Sequence, residues 1–167
     1  RHQVWQHRAQ NHHPEEEHHI LIDLNQTAKD YPKDKTIHQL FEEQVTKTPN
    51  NTALVFEDKS MTYSELNTKA NQLAHYLRKE KGITPDTLVA VCMDRSLEMI
   101  ISILAILKSG GAYLPIDTNN IPPHRLYFVL NDSSVEMVIS NNEIIKGYHY
   151  AELINLKSTN DTVFLTR

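Results

Sequence analysis

Cysteine is nearly absent from this 167-residue chain. Cys92 is the single one, so no disulfide can form within it. It lies in the apolar run Leu88-Val89-Ala90-Val91-Cys92 and reads as an inert core thiol, because nothing polar beside it would stabilise a thiolate. Glycine is scarce too, four residues in all, and none belongs to a GxGxxG or Walker-type loop. Gly110-Gly111 follows a helical pattern and precedes a strand pattern. A phosphate cradle needs the reverse order, strand, glycine loop, then helix amino terminus, so this pair reads as a turn. No nucleophile elbow, zinc-protease signature or paired-cysteine motif is present.

Long apolar runs are missing as well. The best candidate, Leu97 to Leu107, is interrupted by Glu98 and Ser102 and falls short of the ~18 residues a membrane span needs. The amino terminus has no apolar signal core, so a cytoplasmic location is expected. A net charge of -4 gives no electrostatic reason to expect nucleic acid or an anionic membrane as partner. The chain starts at Arg1 rather than methionine, as a fragment or a trimmed chain would.

What is present begins with a polar segment. Residues 1–19 carry six of the ten histidines (His2, His7, His12, His13, His18 and His19) and the acidic run Glu15-Glu16-Glu17. With so little to bury, this stretch reads as a disordered tail and its histidines as solvated. A specific zinc or nickel site there would need a fixed scaffold.

Regular patterning follows. Thr36 with Gln39 forms a capping box, ahead of Ile37, Leu40, Phe41 and Val45 at helical spacing. Ala53 to Glu57 reads as a strand, turned back at Asp58-Lys59 into Ser60-Met61. Thr62 with Glu65 is a second capping box, opening a helix with core stripe Leu66, Ala70, Leu73, Ala74 and Leu77, and Gly82 is placed to cap its end. Thr87 to Met93 reads as a strand covered on both faces. Ser96 caps a helix to about Lys108, apolar nearly all round and so expected between layers. Ala112 to Ile116 is the next strand, Pro122 or Pro123 starts a helix buried at Leu126, Val129 and Leu130, and Val135 to Ser140 is a further strand. A helix over Glu143 to Leu153 and a strand over Leu153 to Leu156 complete the reading. The alternation implies an α/β fold, strand-helix units building part of a mostly parallel sheet layered with helices.

Candidate polar residues are few. Asp94-Arg95 and Asp117 each follow a strand at its carboxyl end, where parallel sheets often bind ligands; structural pairing is the simpler reading for both. His75 sits between the buried Ala74 and exposed neighbours and reads as a boundary residue.

Two segments carry a resemblance. Met61-Thr62-Tyr63-Ser64-Glu65-Leu66-Asn67 resembles the first core motif of nonribosomal peptide synthetase adenylation domains, and Leu107-Lys108-Ser109-Gly110-Gly111-Ala112-Tyr113-Leu114-Pro115-Ile116-Asp117 resembles the second. The flanks agree: His38 to Gln44, Asn71 to Ala74, Arg95 to Met99 and Pro123-His124-Arg125 fit the family, and Leu24 through Pro32 looks like the linker from a condensation domain. Thr118 departs from the pattern, standing where proline is usual. The resemblance covers roughly residues 20 to 140 and none of the tail read from composition over 1–19; it implies an interdomain linker over 20–35 and part of an adenylation (AMP-binding) domain over 36–167, the incomplete amino-terminal subdomain of the acyl-adenylate-forming fold. The family joins an amino acid to ATP as aminoacyl-AMP, then passes it to a phosphopantetheine carrier. Its ATP-grasping loop, amino-acid pocket and catalytic lysine have no counterpart in this sequence. Catalytic, cofactor-binding and metal residues are therefore expected to be absent, and this fragment is expected to bind no MgATP and to be inactive alone. Expected partners are the condensation, remaining adenylation and carrier domains, with a small accessory protein near Ser109 to Leu114. A non-catalytic binding module is the alternative reading. An acyl-CoA synthetase or luciferase-type relative shares the superfamily fold but fits the linker less well.

Overall fold

The computed structural model describes residues 14–118, 120–135 and 137–141, and the backbone of 152–155. His2, His7, His12 and His13 lie outside the described residues. The chain divides into two compact units, Arg1–Lys35 and Thr36–Arg167.

Within the first unit, α1 (Pro14–His18) runs into a π-helical turn over His19–Asp23, closed by the Leu24 N–H on the His19 carbonyl at 3.0 Å. Part of the stretch expected to be a tail is thus helical. Glu15 to Glu17 favour a helix start through the dipole, and the Asn25 side chain caps the end by donating to the Ile20 and Leu21 carbonyls at 3.0 and 3.1 Å.

The second unit opens on α2 (Ile37–Lys47). Its capping box is formed as expected, with Gln39 N–H donating to Thr36 Oγ1 and Thr36 N–H to Gln39 Oε1. The expected apolar stripe is only half right: Ile37 and Leu40 are exposed, while Phe41 and Val45 are partly buried. Strands β1 (Thr52–Phe56) and β2 (Lys59–Thr62) form an antiparallel hairpin. From it α3 (Tyr63–Lys79) departs through the Thr62–Glu65 box and buries Leu66, Ala70, Leu73, Ala74 and Leu77. Each of the three leucines contributes roughly 1.5–3 kcal/mol by leaving water. Gly82 takes the left-handed conformation, φ 67°, and Ile83 N–H returns to the Leu77 carbonyl at 3.1 Å.

The main sheet has the order β4-β3-β5-β6, all parallel, from β3 (Leu88–Cys92), β4 (Ala112–Ile116), β5 (Met137–Ser140) and β6 (Glu152–Asn155). The helix expected from Glu143 falls outside the described residues as far as 151; Glu152 and Leu153 are strand, not helix. Between β3 and β4 runs α4 (Leu97–Ser109), packed against Val89, Val91 and Ile139 on one sheet face and against α3 on its other side. Between β4 and β5 runs α5 (Pro123–Asp132), which sets Leu126 and Leu130 against Ala90, Cys92 and Val138 on the opposite face. The fold is α/β, helices on both faces of a parallel sheet. The position of α4 between layers explains why a helix apolar nearly all round can form here.

Candidate functional site

Because β3 and β4 run in parallel register, with Cys92 opposite Ile116, the loops leaving their carboxyl ends emerge side by side. Between them opens a cleft of about 690 Å³. Phe56, Val91, Met93, Met99, Pro115 and Ile116 make its apolar wall, and Asp94, Arg95, Asp117 and Asn120 supply its polar groups. The chain passes from β3 to β4 on one side and from β4 to β5 on the other, so β3 borders the reversal of strand order where parallel sheets hold ligands. The structure thus brings Asp94, Arg95 and Asp117 to one place, as their positions after strands imply.

Both carboxylates take part in shaping the loops. Thr118 is buried and its hydroxyl donates to Asp94 Oδ1 at 3.3 Å, while Asn120 donates to Asp117 Oδ2 at 2.8 Å. Thr118, noticed in the sequence only as a departure from proline, turns out to tie the β4 loop to the β3 loop. The cleft does not fit a nucleotide triphosphate. The Met93–Ser96 connection has no glycine, Ser96 Oγ already accepts the Met99 N–H, and the loop after β4 ends in Pro122-Pro123, which have no N–H to offer. Asp94 and Asp117 outnumber Arg95 among the lining charges, which further disfavours phosphate. Among the described residues no cluster of three His, Cys, Asp or Glu could hold a metal.

Cys92 is fully buried, and burial pushes its thiol up to about 12, which suits the inert reading. The buried Ser140 hydroxyl donates to the Cys92 carbonyl at 2.7 Å and pins β5 beside β3. His75 is exposed on α3. Gly110-Gly111 is a turn: Gly110 N–H reaches the Leu107 carbonyl at 3.2 Å and Gly111 N–H the Ile106 carbonyl at 3.0 Å, the Schellman pair. In the Ser109 to Leu114 segment Ser109 is buried, Tyr113 is exposed, and β4 is the outer strand of the described sheet.

The sequence alone did not expose the role of Lys108. Its side chain is 5% exposed, pairs with Glu42, and donates to Asn67 Oδ1 at 2.9 Å, while its carbonyl accepts from Arg78. One residue therefore joins α2, α3 and α4. Its position in the second core motif was the only available signal.

This scaffold has known counterparts. The family of AMP-binding enzymes matches residues 41–163. The chain belongs to the AMP-binding enzyme family. Gramicidin S synthase 1 of Brevibacillus brevis is 50% identical over 134 residues, 80% of this chain and 12% of that protein. Bacitracin synthase 2 of Bacillus licheniformis is 51% identical over 140 residues, 84% of this chain and 5% of that protein. The chain thus spans a small part of the curated relatives it matches, and it corresponds to the amino-terminal part of synthetase adenylation domains. Among solved structures, the amino-terminal subdomain of NpsA from Klebsiella oxytoca superposes with a TM-score of 0.68 at 23% identity, covering 80% of this chain and 33% of that one. An artificial adenylation–PCP di-domain, NpsA-ThdA, gives 0.69 at 23% identity over 80% of this chain and 24% of the other. Both support the amino-terminal subdomain fold of this AMP-binding family member.

Proposed function

We propose that this chain supplies the amino-terminal scaffold of an amino-acid-adenylating domain in a nonribosomal peptide synthetase and has no turnover by itself. The parent reaction joins an amino acid to ATP with release of pyrophosphate, and the aminoacyl group then passes to a phosphopantetheine carrier. The observation that carries this reading is the second core motif, whose Leu107–Asp117 forms the end of α4, the glycine turn and β4, inside the family match over 41–163. Adenylyl transfer rests on positioned charge and backbone donors, and no loop in this sequence provides them for a triphosphate. Residues 20–35 serve as the linker from a condensation domain, and MgATP and the carrier engage parts of the synthetase beyond this sequence. Among the described residues no helix is long and apolar enough to cross a membrane, which fits a cytoplasmic synthetase. ATP–pyrophosphate exchange by the purified chain with each proteinogenic amino acid tests the reading. Exchange no higher than a protein-free blank is expected; clear amino-acid-dependent exchange contradicts it.

A binding role is favoured by one separate observation, the outer position of β4 with Tyr113 39% exposed. On this reading the surface around Ser109 to Leu114 docks a small accessory protein. Co-purification with such a protein, lost in Tyr113→Lys, supports it; no complex with the unaltered chain removes it.

A further inference from the structure

Away from the cleft, a second pocket of about 300 Å³ lies between α2 and α3, with Lys108 of α4 among its lining residues. Its charge is unbalanced. Arg78 and Lys108 are cations, Glu42 is the single carboxylate and pairs with Lys108, and His38 and His75 add two imidazoles. His38 and Gln39 come from the first turn of α2, whose Gln39 N–H is already taken by the Thr36 cap.

Donor capacity remains after the internal bonds are counted. Arg78 carries five N–H groups and spends a contact on the Lys108 carbonyl. The Lys108 ammonium has three donors, two of them directed to Glu42 and Asn67. Asn71 contributes a further amide. A fixed buried lysine, an arginine fork and the His75 imidazole around one small concavity form a donor set for an oxyanion, with His38 Nε2 already 3.1 Å from Thr36 Oγ1, and the volume leaves room for an attached organic group. The arrangement does not suit a metal, since the described residues contain no three-ligand cluster and the one lining carboxylate, Glu42, is paired with Lys108.

We propose that the α2–α3 pocket binds a tetrahedral dianion, either free phosphate or sulfate or the phosphoryl group of a small monoester. This site is separate from the β3–β4 cleft and independent of the adenylation reading. Equilibrium dialysis of the intact chain against radiolabelled sulfate, at fixed chloride, tests it. One saturable site per chain is expected. Stronger displacement by glycerol phosphate than by inorganic phosphate identifies an ester as the ligand; the reverse order identifies the free anion. Arg78→Gln is expected to weaken sulfate binding about tenfold or more through loss of charge-assisted bonds. His75→Gln, on an exposed side chain, should weaken it several-fold with an unchanged melting midpoint. No saturable binding, or equal sulfate affinity in both variants and the unaltered chain, overturns the proposal.

Discussion

Single residues decide several local structures. Gly110 has φ 98°, a conformation that strains any L side chain, and a Cβ on Gly111 would lie 3.0 Å from the Thr87 carbonyl oxygen. Gly110→Ala is expected to destabilise the chain by about 1–2 kcal/mol, read as a lower denaturant midpoint. Gly111→Val should cost more, because the neighbour it meets is backbone. Lys108 is a different case, since its value comes from partners 66 and 41 residues away in sequence. Removing it strands Asn67 and Glu42 and opens space, so Lys108→Ala should cost about 1.5–3 kcal/mol in urea unfolding. Glu42 is half exposed and can regain water, which keeps the figure below that for a fully buried pair. Cys92 should resist thiol reagents at pH 8 in the folded chain and react on unfolding, because burial raises its thiol to about 12. Fast modification of the native chain would contradict the packing described.

Elements were legible where their signals are local. Both capping boxes, the core stripe of α3 and the glycine stop of α4 depend on residues within a turn or two of one another, and all are formed. The α3 box also sets a pH response. Thr62 donates its backbone N–H and its hydroxyl to the Glu65 carboxylate at 2.8 and 2.9 Å, and these bonds hold that carboxyl below the ordinary glutamate range. A lowered folded-state value means the stabilisation is complete above the ordinary value and disappears as pH falls through the lowered one. Stability of the unaltered chain should therefore decline on acidification below about pH 4.5 more steeply than that of Glu65→Gln, measured by denaturant midpoints across the range. Thr62→Ala should cost about 1 kcal/mol at neutral pH. Signals that need tertiary neighbours were not legible. Ile37 and Leu40 keep helical spacing yet stay exposed, since spacing defines a face without stating what covers it. The helix over residues 14–18 was missed because it continues into the turn over 19–23, whose end Asn25 caps from beyond the residues that composition judged.

At the scale of the whole molecule, alternating strand and helix patterns sufficed for a parallel α/β sheet, and two motifs sufficed for its family. The order β4-β3-β5-β6 was not legible, because each parallel pairing is chosen by packing across an intervening crossover and not by local sequence. The same holds for the cleft: Asp94 and Asp117 were candidates by position, but their side-by-side placement and the Thr118 tie between their loops require the register Cys92↔Ile116. Breaking that tie with Thr118→Val should loosen the two loops and raise amide exchange across Asp94–Ser96, with little change in the sheet. The larger claim is that this scaffold arranges an apolar cleft at its strand ends without the glycine loop that grips a triphosphate. Calorimetric titration of MgATP into the Arg78→Gln chain, which removes most of the α2–α3 pocket's contribution, tests that claim most directly. The account predicts no saturable heat at millimolar nucleotide; tight binding that vanishes when Mg is chelated would contradict it.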